Sequence, residues 1–132
     1  MARVVHFELP YDDAGRARKF YEEVFGWVIQ GWGESPAYQL ATTGSEGLGI
    51  DGALYQRRQP DLGVLVYVAV PDLVETLASA ERAGAEVVQP KTQIGGVGWS
   101  AVVQDPEGNM LGLFESEPVT DTADPGDTVH TV

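Results

Sequence analysis

The sequence contains no cysteine, few cationic residues and no long apolar stretch. Without cysteine the chain forms neither disulfides nor thiolate sites. Eight Lys and Arg against 20 Asp and Glu give a formal net charge of −12 at pH 7, which repels phosphate backbones and anionic lipid. The longest apolar run, residues 62–70, is far too short to span a bilayer. We therefore expect no nucleic-acid or membrane partner and, as the N-terminus lacks a secretory leader, a cytoplasmic protein.

A repeated pattern is present in the 132 residues. Segments 6–29 and 65–88 each begin with an apolar strand and pass through a turn that contains aspartate. Each then continues as a helix of about ten residues that stops at a glycine, Gly26 or Gly84. Segments 38–54 and 99–115 then each contain two strand-like runs joined by a glycine-bearing turn. The repeat predicts two units with the element order βαβββ.

Neither unit can bury its sheet face alone, so we expect modules 1–60 and 61–117 to share one core. The predicted fold class is α+β, with eight strands and two helices. The first helix, residues 14–25, has an apolar stripe that we expect to cover the sheet, formed by Ala17, Phe20, Tyr21, Val24 and Phe25. Residues 118–132 are rich in Asp, Thr and Pro and predict a flexible acidic tail.

Alternation along the first strand separates its two faces. Leu9 and its apolar neighbours face the helix, so His6 and Glu8 point to the other side of the sheet. Leu65 and Tyr67 occupy the equivalent positions in the second unit. We expect these residues to line a cleft.

Two segments carry a family resemblance. HFELPYDDAGRARKFYEEVFGW, from His6, and DPEGNMLGLFE, from Asp105, resemble the vicinal oxygen chelate superfamily of glyoxalases, bleomycin resistance proteins and extradiol dioxygenases. The resemblance spans nearly all of residues 3–117. It implies tandem βαβββ modules that curl a mixed sheet around a cup. In catalytic members it further implies a divalent metal held by one residue from each of four strands.

Transferring the four ligand positions to this chain leaves too few donors. His6 stands at the first position and Asp51 at the second, but Leu65 and Gly112 occupy the other two and offer no side-chain ligand. A divalent ion normally takes at least three ligands from protein side chains. We therefore expect no metal and no other cofactor. The alternative is a divalent metal held by His6, Asp51 and Glu8.

The remaining candidates divide into acid/base residues and pocket residues. His6 with Glu8 is a reasonable pair for proton transfer, and Asp51 is a third candidate, although each also suits a structural role. Aromatic side chains with polar tips are typical of small-molecule pockets. The predicted ligand-binding residues are Trp32, Tyr38, Leu65, Tyr67, Trp99, Gly112 and Phe114.

The leading interpretation is a glyoxalase-like small-molecule-binding protein that is independent of metal, with acid/base lyase or isomerase chemistry if it is an enzyme. One alternative is a metal-dependent lyase or dioxygenase. Another is a drug-sequestering protein of the bleomycin resistance kind, because an acidic aromatic cup attracts planar cations. The resemblance also implies a homodimer.

Overall fold

A computed structural model of the chain describes residues 2–33, 35–58 and 61–118. Apart from Pro118, the acidic tail predicted at 118–132 lies outside the described residues. The chain forms two compact units. We call Val5–Val66 the N-terminal unit, and Met1–Val4 with Tyr67–Val132 the C-terminal unit.

The helices and strands follow the predicted repeat. The first βαβββ series consists of β1 (Arg3–Tyr11), α1 (Ala14–Phe25), β2 (Val28–Trp32), β3 (Ser35–Thr42) and β4 (Gly52–Gln56). The second consists of β5 (Leu65–Ala69), α2 (Leu73–Arg82), β6 (Glu86–Ile94), β7 (Gly98–Gln104) and β8 (Met110–Ser116). Eight strands and two helices confirm the α+β class among the described residues.

Both helices begin at an aspartate, as the repeat predicts. The carboxylate of Asp13 accepts a hydrogen bond from the backbone N–H of Arg16 at 3.0 Å, and that of Asp72 accepts one from Glu75 at 3.0 Å. Each bond satisfies a backbone donor that has no partner within the first helical turn. Gly26 then ends α1 in the left-handed conformation, at φ 70°, which glycine adopts without steric cost.

Strand pairing is the same in the two units. In the N-terminal unit the order is β2-β3-β4-β1, with β1 parallel to β4 and the other pairs antiparallel. In the C-terminal unit the order is β5-β8-β7-β6, with β5 parallel to β8 and the other pairs antiparallel. The parallel pair is formed in each case by the first and last strands of the repeat.

Each helix covers one face of its own sheet. In the N-terminal unit the buried cluster consists of Tyr11, Ile29, Ala41 and Leu54. In the C-terminal unit it consists of Leu73, Ala101, Val103 and Leu113. Apolar side chains on alternate strand positions therefore pack beneath the helices, which leaves the intervening positions on the opposite faces.

The stripe predicted on α1 is only partly correct. Ala17 and Tyr21 pack against the N-terminal cluster, but Phe20, Val24 and Phe25 are 52%, 56% and 57% exposed. Tyr21 instead stacks on Trp27 with ring centroids 5.0 Å apart. Tyr21 and Trp27 both pack against the N-terminal cluster, whereas the rest of the stripe stays largely at the surface.

In the part of the chain that the structure describes, neither helix has the length and apolar character needed to cross a membrane.

Candidate functional site

The candidate site starts with two polar residues on β1. Leu9 and Tyr11 belong to the cluster beneath α1, so His6 and Glu8, at the alternate positions, lie on the face that the helix leaves uncovered. Glu8 is buried, with only 6% of its surface exposed, and His6 is partly buried. The predicted pair therefore shares one face of the N-terminal sheet.

Tyrosines from two neighbouring strands share this face. Strand register sets Ala53 of β4 opposite Glu8, and Tyr55 opposite Pro10. Tyr38 of β3 lies in turn opposite Tyr55. Since paired positions project to the same side of a sheet, both tyrosines lie on the same face as His6 and Glu8.

The Tyr38 hydroxyl joins His6 to Glu8. It donates a hydrogen bond to Oε2 of Glu8 at 2.6 Å, and Nε2 of His6 lies 3.0 Å from the same oxygen of Tyr38. A tyrosine hydroxyl carries one proton, and here that proton is directed to Glu8. Nε2 of His6 is therefore the donor to Tyr38, which makes Nδ1 the basic nitrogen of the neutral ring.

Burial keeps His6 uncharged. It lowers the pKa of His6 from 6.5 to about 4, and the nearby negative charge of Asp51 opposes this shift without cancelling it. Removing the imidazolium from water costs more than the attraction of Asp51 returns. At neutral pH His6 is thus a neutral donor and acceptor of hydrogen bonds.

Asp51 itself is exposed and bonded to the loop that precedes β4. Its Oδ1 accepts hydrogen bonds from the backbone N–H of Thr43 at 2.8 Å and from the Thr43 hydroxyl at 3.2 Å. These contacts give Asp51 a clear structural task in the turn between β3 and β4. The acid/base role suggested for Asp51 stays a prediction.

A cavity adjoins the tyrosines. Its volume is about 230 Å³, and it is lined by Ala37, Tyr38, Tyr55, Gln56, Arg57 and Arg58. The ring of Trp32 meets Tyr38 edge-on, with centroids 5.8 Å apart. Of the predicted ligand-binding residues, Tyr38 thus lines the cavity directly and Trp32 supports its ring.

Tyr55 forms a fixed side of this cavity. Its side chain is 3% exposed, and its hydroxyl donates a hydrogen bond to the carbonyl of Gly63 at 2.6 Å. Burial raises its pKa, and the negative charges of Glu8 and Asp61 act in the same direction, so the phenol remains neutral. Tyr38, which lines the cavity and donates a hydrogen bond to Glu8, connects the acid/base residues to this cavity.

The predicted residues of the C-terminal unit form a separate group. Tyr67 lies opposite Gly112, and Phe114, which is 4% exposed, follows on the same face of β8. The Tyr67 ring covers Gly112 so closely that a Cβ added to this glycine would lie 2.4 Å from ring carbons. Glycine is required there because the ring fills the space of a side chain.

Two further candidates lie apart from these groups. Trp99 packs on the helix side with the C-terminal cluster, and Lys91 lies 4.8 Å from the centre of its ring. Trp99 therefore faces away from Tyr67 and Phe114, in contrast to the cup-lining position expected for it. Leu65 is completely buried. Ligand contacts of Leu65 and Trp99 remain predictions.

The residues present do not suit the divalent metal that the family resemblance implies. Ala53 lies opposite Glu8 in the N-terminal unit, as Gly112 lies opposite Tyr67 in the C-terminal unit. Ala53 is therefore the equivalent of Gly112. The second expected ligand position thus holds this alanine, two residues beyond Asp51. The described residues contain no cluster of three or more His, Cys, Asp or Glu suited to hold a metal. His6 is the single donor left at the expected positions, and metal sites require more.

The sequence interpretation missed the basic side of the cavity. Arg57 and Arg58 follow β4 directly, and neither was among the predicted site residues. Tyr55 was likewise absent from the predicted site residues. Two adjacent arginines after a buried strand, in a chain with only eight cationic residues, were the pattern that could have identified this side.

Part of the sequence matches a family model, and most of it aligns with proteins from two mycobacteria. The family model described as "Bleomycin resistance protein-like N-terminal" matches residues 3–35. Proteins named "Putative glyoxylase CFP32" in Mycobacterium tuberculosis and Mycobacterium bovis are each 26% identical in an alignment of 117 residues that covers 83% of this chain and 44% of theirs. The chain thus spans less than half the length of these curated relatives.

Solved structures share the fold at low identity. A glyoxalase/bleomycin resistance protein/dioxygenase superfamily member from Vibrio splendidus 12B01 is 18% identical with a TM-score of 0.64, covering 88% of this chain and 100% of that one. Methylmalonyl-CoA epimerase from Mycobacterium tuberculosis is 14% identical with a TM-score of 0.63, covering 87% and 88%. At such identities the likeness establishes the fold alone.

Proposed function

The chain belongs to the vicinal oxygen chelate superfamily, and from that premise we propose that it is a glyoxalase-like enzyme that binds a small molecule and performs lyase or isomerase chemistry by proton transfer. The observation that carries the proposal is the Tyr38 hydroxyl, which bridges His6 and Glu8 beside a cavity. General acid/base catalysis needs titratable groups in hydrogen-bonding contact next to a substrate-sized space.

The three residues form a proton relay. A proton taken from a substrate carbon next to a carbonyl is accepted at Nδ1 of neutral His6. The Nε2 proton of His6 then moves to the Tyr38 oxygen, and the Tyr38 proton moves to Glu8. His6 and Tyr38 end neutral and Glu8 ends protonated. Reversal of the same steps returns the proton to the substrate.

The lowered pKa of His6 suits this relay. A buried imidazolium is disfavoured, since the pKa of His6 is about 4, and so His6 passes the proton on rather than storing it. Glu8 holds the proton at the end of the relay, and its Oε2 already accepts a hydrogen bond from the Tyr38 hydroxyl at 2.6 Å. Return of the proton from His6 to a neighbouring carbon on the same side of the substrate gives an isomerase, and departure of a neighbouring group gives a lyase.

Deuterium exchange tests the proposal. The full chain, treated with a chelator, is incubated in D₂O with α-branched acyl thioesters and with thiol adducts of α-oxo aldehydes, and deuterium on the substrate carbon is followed by NMR. We expect exchange that Glu8→Gln and Tyr38→Phe reduce by about 10²-fold or more. Tyr21→Phe, which removes a hydroxyl from the stacked ring beneath α1, should leave exchange unchanged.

Two results would contradict the proposal. The first is exchange that appears only when a divalent metal is added, which would restore the metal-dependent alternative. The second is exchange that is as fast in Glu8→Gln as in the unaltered chain.

Sequestration of a drug is the second candidate function. It is supported by the match of residues 3–35 to the bleomycin resistance-like family and by the aromatic contact between Trp32 and Tyr38. Bleomycin should then raise the melting temperature of the folded chain without being altered. The two arginines in the cavity weigh against a cationic ligand at this place.

A further inference from the structure

The cavity concentrates positive charge in a strongly acidic protein. Only eight residues of the chain are Lys or Arg, yet two of them, Arg57 and Arg58, lie side by side in the lining of one cavity. At a net charge of −12, most of the protein repels anions. Local cationic groups are therefore needed wherever this protein binds an anion.

The two arginines have different surroundings. Arg57 lies 3.1 Å from Asp12 and 3.0 Å from Asp61, so its charge is balanced within the protein. Asp61 also accepts a hydrogen bond from the backbone N–H of Gly63 at 2.9 Å. These contacts connect β4 to the segment after it, and Arg57 serves to hold that segment in place.

Arg58 has no such balancing carboxylate. Within residues 2–33, 35–58 and 61–118, no ion pair includes it. Its guanidinium lies over the ring of Tyr55, with Cζ 5.5 Å from the ring centre. A guanidinium on an aromatic face keeps its N–H groups directed outward at the ring edge, where they can bind a carboxylate or phosphate through two parallel hydrogen bonds.

We propose that Arg58 is a specificity-determining residue that binds the anionic group of the substrate, so that the substrate class is a small organic anion, a carboxylate or a phosphate ester. The anion lies against Arg58, and the planar part of the molecule lies along Tyr38. Tyr38 is shared by the cavity and the proton relay, so an anion held at Arg58 has its remaining atoms directed toward His6 and Glu8. This inference rests on the proposed function, because it assigns a substrate class to the same site.

Matched benzene derivatives test the charge preference. Benzoate, phenyl phosphate, benzyl alcohol and benzylamine share one ring and differ in the charge of the substituent. Binding of each to the full chain is measured by NMR titration. We expect benzoate or phenyl phosphate to bind at least fivefold more tightly than benzyl alcohol, and benzylamine to bind most weakly. The ratio of benzoate to phenyl phosphate distinguishes a carboxylate from a phosphate site.

Variants locate the preference at Arg58. Arg58→Gln should remove the advantage of the anion over benzyl alcohol, and Arg58→Lys should retain part of it, because an ammonium keeps the charge without the planar fork. Arg16→Gln, which removes an exposed arginine of α1, should leave all four affinities unchanged. Tighter binding of benzylamine than benzoate, or an unchanged anion advantage in Arg58→Gln, would overturn the inference. So would equal weakening of all four probes, since that indicates lost packing.

Failure of this inference differs from failure of the proposed function. If Arg58→Gln removes the anion preference while no carbon acid exchanges deuterium, the binding assignment stands and the relay is wrong. If exchange depends on Glu8 and Tyr38 while the probes show no anion preference, the relay stands and the role of Arg58 is wrong.

Discussion

Tyr38 donates a 2.6 Å hydrogen bond to Glu8 from two strands away in the same sheet. Glu8 is the buried charged side chain among the described residues, with 6% of its surface exposed. A buried carboxylate is tolerated when hydrogen bonds replace its water. The same bond thus satisfies a buried carboxylate of the N-terminal unit and is the central contact of the proposed proton relay.

Replacing Tyr38 by phenylalanine should destabilise the protein. The ring remains, but Glu8 and His6 each lose their hydrogen bond to the hydroxyl, and removing a hydrogen bond from a buried charged group costs about 1–3 kcal/mol. Urea denaturation measures the loss of unfolding free energy. The matched change Tyr21→Phe removes a hydroxyl that has no hydrogen bond among the described residues, and should cost less than about 0.5 kcal/mol. Equal costs for the two variants would show that the bridge does not stabilise the fold.

The protein should lose stability between pH 6.5 and pH 4. Burial lowers the pKa of His6 from 6.5 to about 4, so within this range the unfolded chain binds a proton that the folded chain does not. Stability from His6 is therefore complete above pH 6.5 and declines as the pH falls toward 4, by up to roughly 3 kcal/mol.

Denaturation curves at pH 4.5, 5.5, 6.5 and 7.5 measure this effect. Carboxylates titrate in part of the same range, so the relevant quantity is the difference between the unaltered chain and His6→Gln. That difference should shrink as the pH falls. NMR titration of the imidazole protons gives the pKa of His6 directly, and a value above 6 would contradict the buried neutral ring.

Gly112→Ala should be strongly destabilising. The added Cβ would lie 2.4 Å from carbons of the Tyr67 ring, and displacement of a packed ring typically costs about 1–3 kcal/mol. Gly49→Ala is the control, because apart from its two chain neighbours no atom of the described residues lies within 4 Å of its added Cβ. In the double variant with Tyr67→Ala, the cost of Gly112→Ala should nearly vanish, as expected for two residues in direct contact. Additive costs would show that the clash is relieved elsewhere.

Local chemistry made the fold predictable from the sequence. Aspartates at the helix starts and a glycine at the end of α1 have the same effect in any protein, so the repeat alone indicated βαβββ. Period-two alternation on β1 likewise placed His6 and Glu8 on one face correctly. The repeat also predicted two tandem units, and the family resemblance implied that they curl a mixed sheet around a cup.

Long-range relationships between residues were less predictable. The bridge from Tyr38 to Glu8 depends on the register of β3, β4 and β1, which the sequence does not state. The alignment of the two repeats was displaced by two residues, so it assigned the second ligand position to Asp51, whereas strand register assigns it to Ala53. Trp99 projects to the helix side of β7, and Ser100, the next residue, projects to the opposite side. The sequence did not reveal which of these two residues faces the helix.

The position of Arg58 in an acidic chain also affects how fast a ligand arrives. An anion approaching from bulk solvent meets the repulsion of a −12 protein until it comes within about one Debye length, ~8 Å at physiological ionic strength, of the guanidinium. Added salt screens the distant repulsion as well as the final attraction, so moderate ionic strength should accelerate association even as it weakens the bound complex. This protein would therefore capture its ligand more readily in salty solution than in dilute buffer, the reverse of ordinary electrostatic steering.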